Sequence, residues 1–205
     1  MSVIALPDSL CTSTFRWKLV RNQIASKSPF GSQALEVATP QWTCSMAGVP
    51  EYVQEAKILE TFLEKLAGLA NQVAVYNRVY PVPEGTMRGS MVLDVAADDG
   101  DLTLTIDGGL GQAGQTLLTG DLLGIGTVTT QQVLRIASDA VADGSGVIVV
   151  TLVAPVRGDF PIGTQVRWDR PAALFRQRED NTGIEYQPGR IGQPWALDLV
   201  EDWRP

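Results

Sequence analysis

"IDGGLGQAGQTLL", residues 106–118, is the stretch on which the fold class turns. Gly109, Gly111 and Gly114 fit G-x-G-x-x-G, the pattern in which a strand, a glycine turn and a helix N-terminus hold a dinucleotide pyrophosphate. On that reading the chain is an α/β nucleotide-binding enzyme. The neighbouring residues argue otherwise. "LTLTID" before the glycines supplies a strand, but "QTLLTGDLLGIGT" after them has no helical stripe. Gly120, Gly124 and Gly126 interrupt it, and each glycine in a helix interior costs about 1 kcal/mol relative to alanine. No acidic residue stands about 20 positions on to take a ribose hydroxyl; that zone reads "TVTTQQV". The glycines are read as a loop between strands, and no nucleotide or other cofactor is expected.

Working outward, residues 92–169 are rich in Gly, Asp, Thr and Val. "LTLTID", "DLLGIG", "QVLRIA", "GVIVVTLV" and "TQVRW" read as short strands, separated by the turns "DDGD", "ADGSG" and "RGDFPIG". No helix is evident there. The breakers "PVPEGTMRG" and "DRP" flank the region, which is read as an inserted all-β module.

Outside it the pattern differs. In "TFRWKLV", Phe15, Trp17 and Leu19 alternate with Arg16 and Lys18, as in a half-buried strand. "SKSPFGS" reads as a hairpin tip. "ALEVAT" then places Leu35 and Val37 on one face, with Glu36 on the other, across from Arg16 or Lys18. Pro40 breaks the run, and "QWTCSM" resumes it with Trp42, Cys44 and Met46. From Glu51 to Leu69 the period becomes 3.6: Tyr52, Ala56, Leu59, Leu63 and Leu66 form a stripe that Val53, Phe62 and Leu69 widen. Glu55, Lys57, Glu60, Glu64 and Lys65 form the outer side, Pro50 stands at the start and Gly68 near the end. This predicts an amphipathic helix over about 51–69, packed on a sheet. "VAVYN" follows as a strand. After Pro171 come "ALFRQRED", the turn "NTG", "IEYQPGR", and "WALDLVEDW", in which Trp195, Leu197 and Leu199 alternate with Asp198. The expected fold is mainly β. A β-domain carrying one helix comes from residues 1–91 and 170–205, interrupted by the module of 92–169.

Composition narrows the chemistry. The 205 residues carry a net charge of −7, which disfavours tight binding to a phosphate backbone. There is no histidine, so the chain itself cannot supply Ser-His-Asp or Cys-His catalysis or a histidine-bound metal. Cys11 and Cys44 cannot complete a four-ligand zinc site; they read as two small hydrophobes, with a disulfide as the alternative. No apolar run is long enough for a membrane helix, and "MSVIALPDSL" lacks the basic and apolar regions of a signal peptide, so synthesis in a cytoplasm is expected. Asp98, Asp99 and Asp101 of "DDGD" lack the glutamate of a calcium loop and read as solvated turn residues. "RGD" at 157–159 reads as a turn tripeptide. Arg16 and Lys18 stand beside Trp17, a combination that elsewhere binds nucleic acid, but alternation puts the ring and the charges on opposite faces. Glu185 and Asp198 sit on predicted strands, where a glycosidase-like carboxylate pair stays formally open. No catalytic, cofactor-binding or metal-binding residue is assigned.

Three stretches, taken in order, resemble the distal tail proteins of long-tailed, siphovirus-type bacteriophages and related minor tail proteins. They are the hairpin "FRWKLVRNQIASKSPFGSQALEVATPQW", with its S-P-x-G-S-Q tip leading to a tryptophan; the helix and strand "EAKILETFLEKLAGLANQVAVYN"; and "LFRQREDNTGIEYQPGRIG" with "WALDLVED". The likeness covers more of the outer domain than of the insert. It implies a virion structural protein of the tail tip and not an enzyme: a β-sandwich-like domain flanked by a helix and related to tail-tube proteins, closing into a homohexameric ring that joins the tube to the hub or baseplate. It implies as partners the tail tube protein and the hub proteins, with DNA passing through the lumen, no sequence-specific nucleic-acid binding and no membrane insertion. An acidic chain suits a bore through which DNA must slide without sticking. Two alternatives remain at this stage: a carbohydrate- or receptor-binding β-protein with its site on the inserted module, and a carboxylate-based hydrolase.

Overall fold

The computed structural model describes residues 2–7, 9–10, 12–28, 31–49, 52–127, 130–179, 185–188, 191–192 and 194–203. The fold is mainly β, with a single α-helix among the described residues. In chain order the elements are β1 (Val3–Ala5), β2 (Thr12–Ser28), β3 (Gly31–Gly48), α1 (Val53–Leu66), β4 (Gln72–Tyr76), β5 (Met91–Leu93), β6 (Thr103–Asp107), β7 (Thr116–Leu117) and β8 (Leu122–Ile125). They continue with β9 (Gln132–Arg135), β10 (Ala140–Val141), β11 (Val147–Thr151), β12 (Gln165–Arg167), β13 (Ala172–Gln177), β14 (Tyr186–Gln187), β15 (Ile191–Gly192) and β16 (Ala196–Glu201).

One six-stranded sheet has the order β1-β4-β13-β16-β3-β2, and a second has β11-β6-β5-β12-β8-β9. All six strands of the first come from the N- and C-terminal parts of the chain and all six of the second from the middle, while β7 pairs with β10 and β14 with β15 as separate two-stranded sheets. Alternation decides which side of the first sheet is buried. Trp42, Cys44 and Met46 of β3, together with Leu197 and Leu199 of β16, point inward. They meet Leu59, Phe62, Leu63 and Leu66 of α1. On the same side Trp17 packs edge-on against Phe175, with ring centroids 5.0 Å apart. Arg16, Lys18, Thr43, Ser45 and Asp198 occupy the opposite face through the same alternation.

Several details differ from the sequence expectations. The helix is shorter than 51–69. Tyr52 is its exposed N-cap, and Ala67 ends it in the left-handed region (φ 49°), followed by Gly68 at φ 63°. Asn71 then satisfies two freed carbonyls, its backbone N–H bonding Leu66 and its side-chain amide bonding Lys65. Pro50 and Glu51 lie outside the described residues. Pro40 does not break the strand. The register passes from Val20 opposite Gln41 to Asn22 opposite Ala38, so one residue of β2 faces both Thr39 and Pro40. This bulge absorbs the missing N–H of proline, and β3 runs on through it. Because the hairpin is long and bulged, Arg16 and Lys18 face Ser45 and Thr43 rather than Glu36. Glu36 pairs instead with Arg21, at 3.2 Å. Pro29 and Phe30 of the tip, like the turn "NTG", lie outside the described residues.

In the middle of the chain the five expected strands are present as β6, β8, β9, β11 and β12, while β5, β7 and β10 are additional. Their core includes Met91, Leu93, Ile106, Leu123 and Val150. The chain enters and leaves this region at adjacent points. The Trp168 indole donates to the Gly89 carbonyl at 2.7 Å, and the Arg170 N–H donates to the Pro81 carbonyl at 2.8 Å. The connecting "PVPEGTMRG" is held firmly. Buried Asp121 accepts the N–H groups of Glu84, Gly85 and Leu118, and the Arg88 guanidinium donates to the carbonyls of Pro83, Gly85 and Met87.

The two sheets also share buried contacts. Leu122 and Val133 of the second sheet join the first core, and Trp203 from the C-terminal segment packs on the second. The Trp42 indole donates to the Val133 carbonyl at 2.8 Å, beneath the Arg135 guanidinium. Glu201 accepts the Trp42 N–H at 2.8 Å and forms a buried ion pair with Arg157, whose guanidinium lies over Trp203.

Candidate assembly surfaces

The most unusual surface is built by β2 and β3. Pairing of β16 with β3 stops at Val200 opposite Thr43, whereas β2 and β3 stay paired out to Ser28 opposite Gly31. Beyond the bulge they form a ribbon that no third strand joins among the described residues. Eight residues from Arg21 to Ser28 at about 3.4 Å each give an arm of about 27 Å. The described side chains from Arg21 to Lys27 and from Gly31 to Thr39 are exposed. Ile24 (63% exposed) sits directly opposite Leu35 (69%), and Val37 (57%) lies beside them in the bulged stretch. The sequence reading placed Leu35 and Val37 on an apolar face. The structure leaves that face without a cover in a single chain. The base of the arm is fixed by Arg21, which bonds Glu36 and also the Val153 carbonyl at 3.1 Å. A lone two-stranded ribbon is marginally stable and offers unpaired edges to another chain.

A second surface is the outer face of the first sheet. Arg16, Lys18, Asn22, Gln41, Thr43, Ser45, Arg176, Arg178 and Asp198 line a shallow cleft of about 520 Å³ there. Arg178 follows the end of β13 and is kept in register by its N–H bond to the Asp198 carbonyl at 3.0 Å. The cleft brings the sequence-noted Arg16 and Lys18 together with two arginines more than 150 residues further along the chain.

The other noted residues go elsewhere. Gly109 precedes a single 3-10 turn, Leu110–Gln112, and Gly114 leads into the two-residue strand β7, so no helix N-terminus faces the glycines. "DDGD" and "RGD" interlock as turns. The Asp99 carboxylate accepts the Gly158 N–H at 2.9 Å, and Asp159 accepts the Asp99 N–H at 3.0 Å. Arg157 of the tripeptide is buried against Glu201 and so is not presented to a receptor. Glu185 and Asp198 are both exposed, but only Asp198 lines the cleft, so the structure supplies no shared carboxylate site. Among the described residues, no group of three or more His, Cys, Asp or Glu side chains is arranged to hold a metal. Cys44 is buried and free, and burial pushes its thiol up to about 12, well away from a reactive thiolate. Cys11 lies outside the described residues.

No protein-family model matches the chain, and no curated protein matches it.

The buried polar junction between the sheets is what the sequence reading missed. Burial pushes the Glu201 carboxyl above its ordinary range, a tendency that the Arg157 guanidinium and the Trp42 N–H partly offset. Arg157 sat in an apparent surface turn and Glu201 in a terminal strand, and no local spacing links residues 44 positions apart.

Proposed function

We propose that this chain is a structural ring subunit of a bacteriophage tail tip, of the distal tail type. In this reading six copies close head to tail and join the tail tube to the hub or baseplate, leaving a lumen for DNA. The observation that carries it is the 27-Å arm, whose exposed Ile24, Leu35 and Val37 have no cover within one chain. A heterologous contact needs such an element on one side of the subunit and a receiving surface on another, and it makes a ring when the rotation closes. The other edge of the first sheet is the three-residue strand β1, beside an apolar groove of Ile4, Ile58 and Phe62. An arm laid against that edge extends a neighbour's sheet by β-augmentation. The resemblance of the hairpin, helix and final strand to distal tail proteins supports the same reading.

Native mass spectrometry tests it. The wild-type chain is expected to reach hexamers as concentration rises. Ile24→Asp with Leu35→Asp is expected to leave a folded monomer, because both side chains are exposed in the single chain. An unchanged oligomer distribution in that variant would remove the arm from the assembly.

A further inference from the structure

We propose that the cleft on the outer face of the first sheet is a weak, sequence-independent contact for the phosphodiester backbone of a nucleic acid. On a chain of net charge −7, a concave strand face lined by Arg16, Lys18, Arg176 and Arg178 with Asp198 is an exception, although Arg176 is already paired with Asp202 at 3.6 Å. Arg16 and Lys18 stand two residues apart on β2, and Arg176 on β13 and Arg178 just past its end are likewise two apart, so each pair lies on one face about 7 Å apart. The strand order β13-β16-β3-β2 separates the two pairs by three strand spacings, about 14 Å. Between them the floor carries the Thr43 and Ser45 hydroxyls, with the Asn22 and Gln41 amides at one end. Two cationic rows flanking hydroxyl and amide groups suit a run of anionic oxygens and offer no base-edge readout.

The choice of phosphate over an acidic peptide rests on what the cleft lacks. No aromatic side chain lines it, because Phe15, Trp17 and Trp42 point to the other side of the same sheet. Val20, Leu199 and Val200 contribute to the lining, but polar and charged groups outnumber them, whereas a peptide partner draws on apolar pockets for alternate side chains and bases need a stacking platform. A charged backbone relies on neither. Asp198 in the floor limits the affinity, which suits a contact made and released readily. The inference concerns a single copy and does not depend on ring formation. A monomer that binds through this face would contradict the ring and leave this contact standing.

The test is fluorescence anisotropy with a labelled 20-base-pair duplex of arbitrary sequence and a labelled polyglutamate peptide, both titrated from 50 to 200 mM salt. With three phosphates neutralised by Arg16, Lys18 and Arg178, log K falls against log salt with a slope of about −2.7, a loss of about forty-fold across that range. Arg16→Gln with Lys18→Gln is expected to reduce the slope by about two thirds, and Arg178→Gln by about a third. Lys57→Gln with Lys65→Gln, on the helix, is expected to change neither. Three results would each overturn the proposal: no duplex binding at 50 mM salt, a slope that the cleft variants leave unchanged, or tighter binding of polyglutamate than of the duplex. Melting curves on each variant show that it is folded, and the independent Arg178→Gln arm decides the matter if the double variant is not.

Discussion

Arg157 and Glu201 show how one pair of residues fixes the relation of two sheets. Removing one member of a buried ion pair leaves the other uncompensated, at a cost of about 3–5 kcal/mol. Arg157→Met is therefore expected to be strongly destabilised at neutral pH. The sign with pH follows from Glu201. Its carboxyl is already raised by burial, and loss of the guanidinium raises it further. A carboxyl with a raised folded-state value contributes most below its unfolded value, and that contribution is lost as pH rises through the folded one. The deficit of Arg157→Met relative to wild type should thus shrink as pH is lowered from 7 toward the ordinary carboxylate range. Urea midpoints at a series of pH values measure it, and a deficit independent of pH would mean that Glu201 stays ionised. A different residue-scale constraint acts at Gly48, where a Cβ would lie 2.0 Å from the Trp195 indole nitrogen.

Among elements, α1 and the hairpin contrast. The helix stripe was legible because Ala56, Leu59, Leu63 and Leu66 recur at 3.6-residue spacing and nothing competes with that period. All four are buried, and so is Phe62, whereas Tyr52 and Leu69 at the ends of the expected stripe are exposed because the helix covers only Val53–Leu66. Leu63→Ala is expected to cost about 2–5 kcal/mol, read from the shift in urea midpoint; an unchanged midpoint would mean that the stripe does not seal the first core. The strand faces of Phe15–Leu19, Trp42–Met46 and Trp195–Leu199 were legible for the same reason, with a period of two. The hairpin was legible only in part. Its existence follows from the turn residues, but the bulge at Thr39 and Pro40 shifts the register, and no alternation pattern announces a bulge. The arm's exposure was hidden too, since Leu35 and Val37 look the same in sequence whether their cover is their own chain or another. The basic cleft was half visible: Arg16 and Lys18 show in the alternation, while their meeting with Arg176 and Arg178 depends on β16 lying between β3 and β13.

At the scale of the whole molecule, the glycine run of 106–118 sorted the middle of the chain correctly as β. What composition could not show is the docking of the two sheets through Trp42, Val133, Arg157 and Glu201. We propose that residues 92–169 are nevertheless an inserted module, since all six strands of the first sheet, and its helix, come from outside it. Replacing 92–169 with a short Gly-Ser linker is expected to leave a domain that still melts cooperatively. Its midpoint should be lower, because Leu122, Val133 and Arg157 are lost from its surface. Loss of the cooperative transition by circular dichroism would show that the two sheets fold only as one unit. The central claim, that this is a ring subunit, is tested most directly by negative-stain electron microscopy of the purified full-length protein at high concentration. The account predicts closed particles with six-fold symmetry and a central hole; isolated monomers, two-fold dimers or open filaments would contradict it.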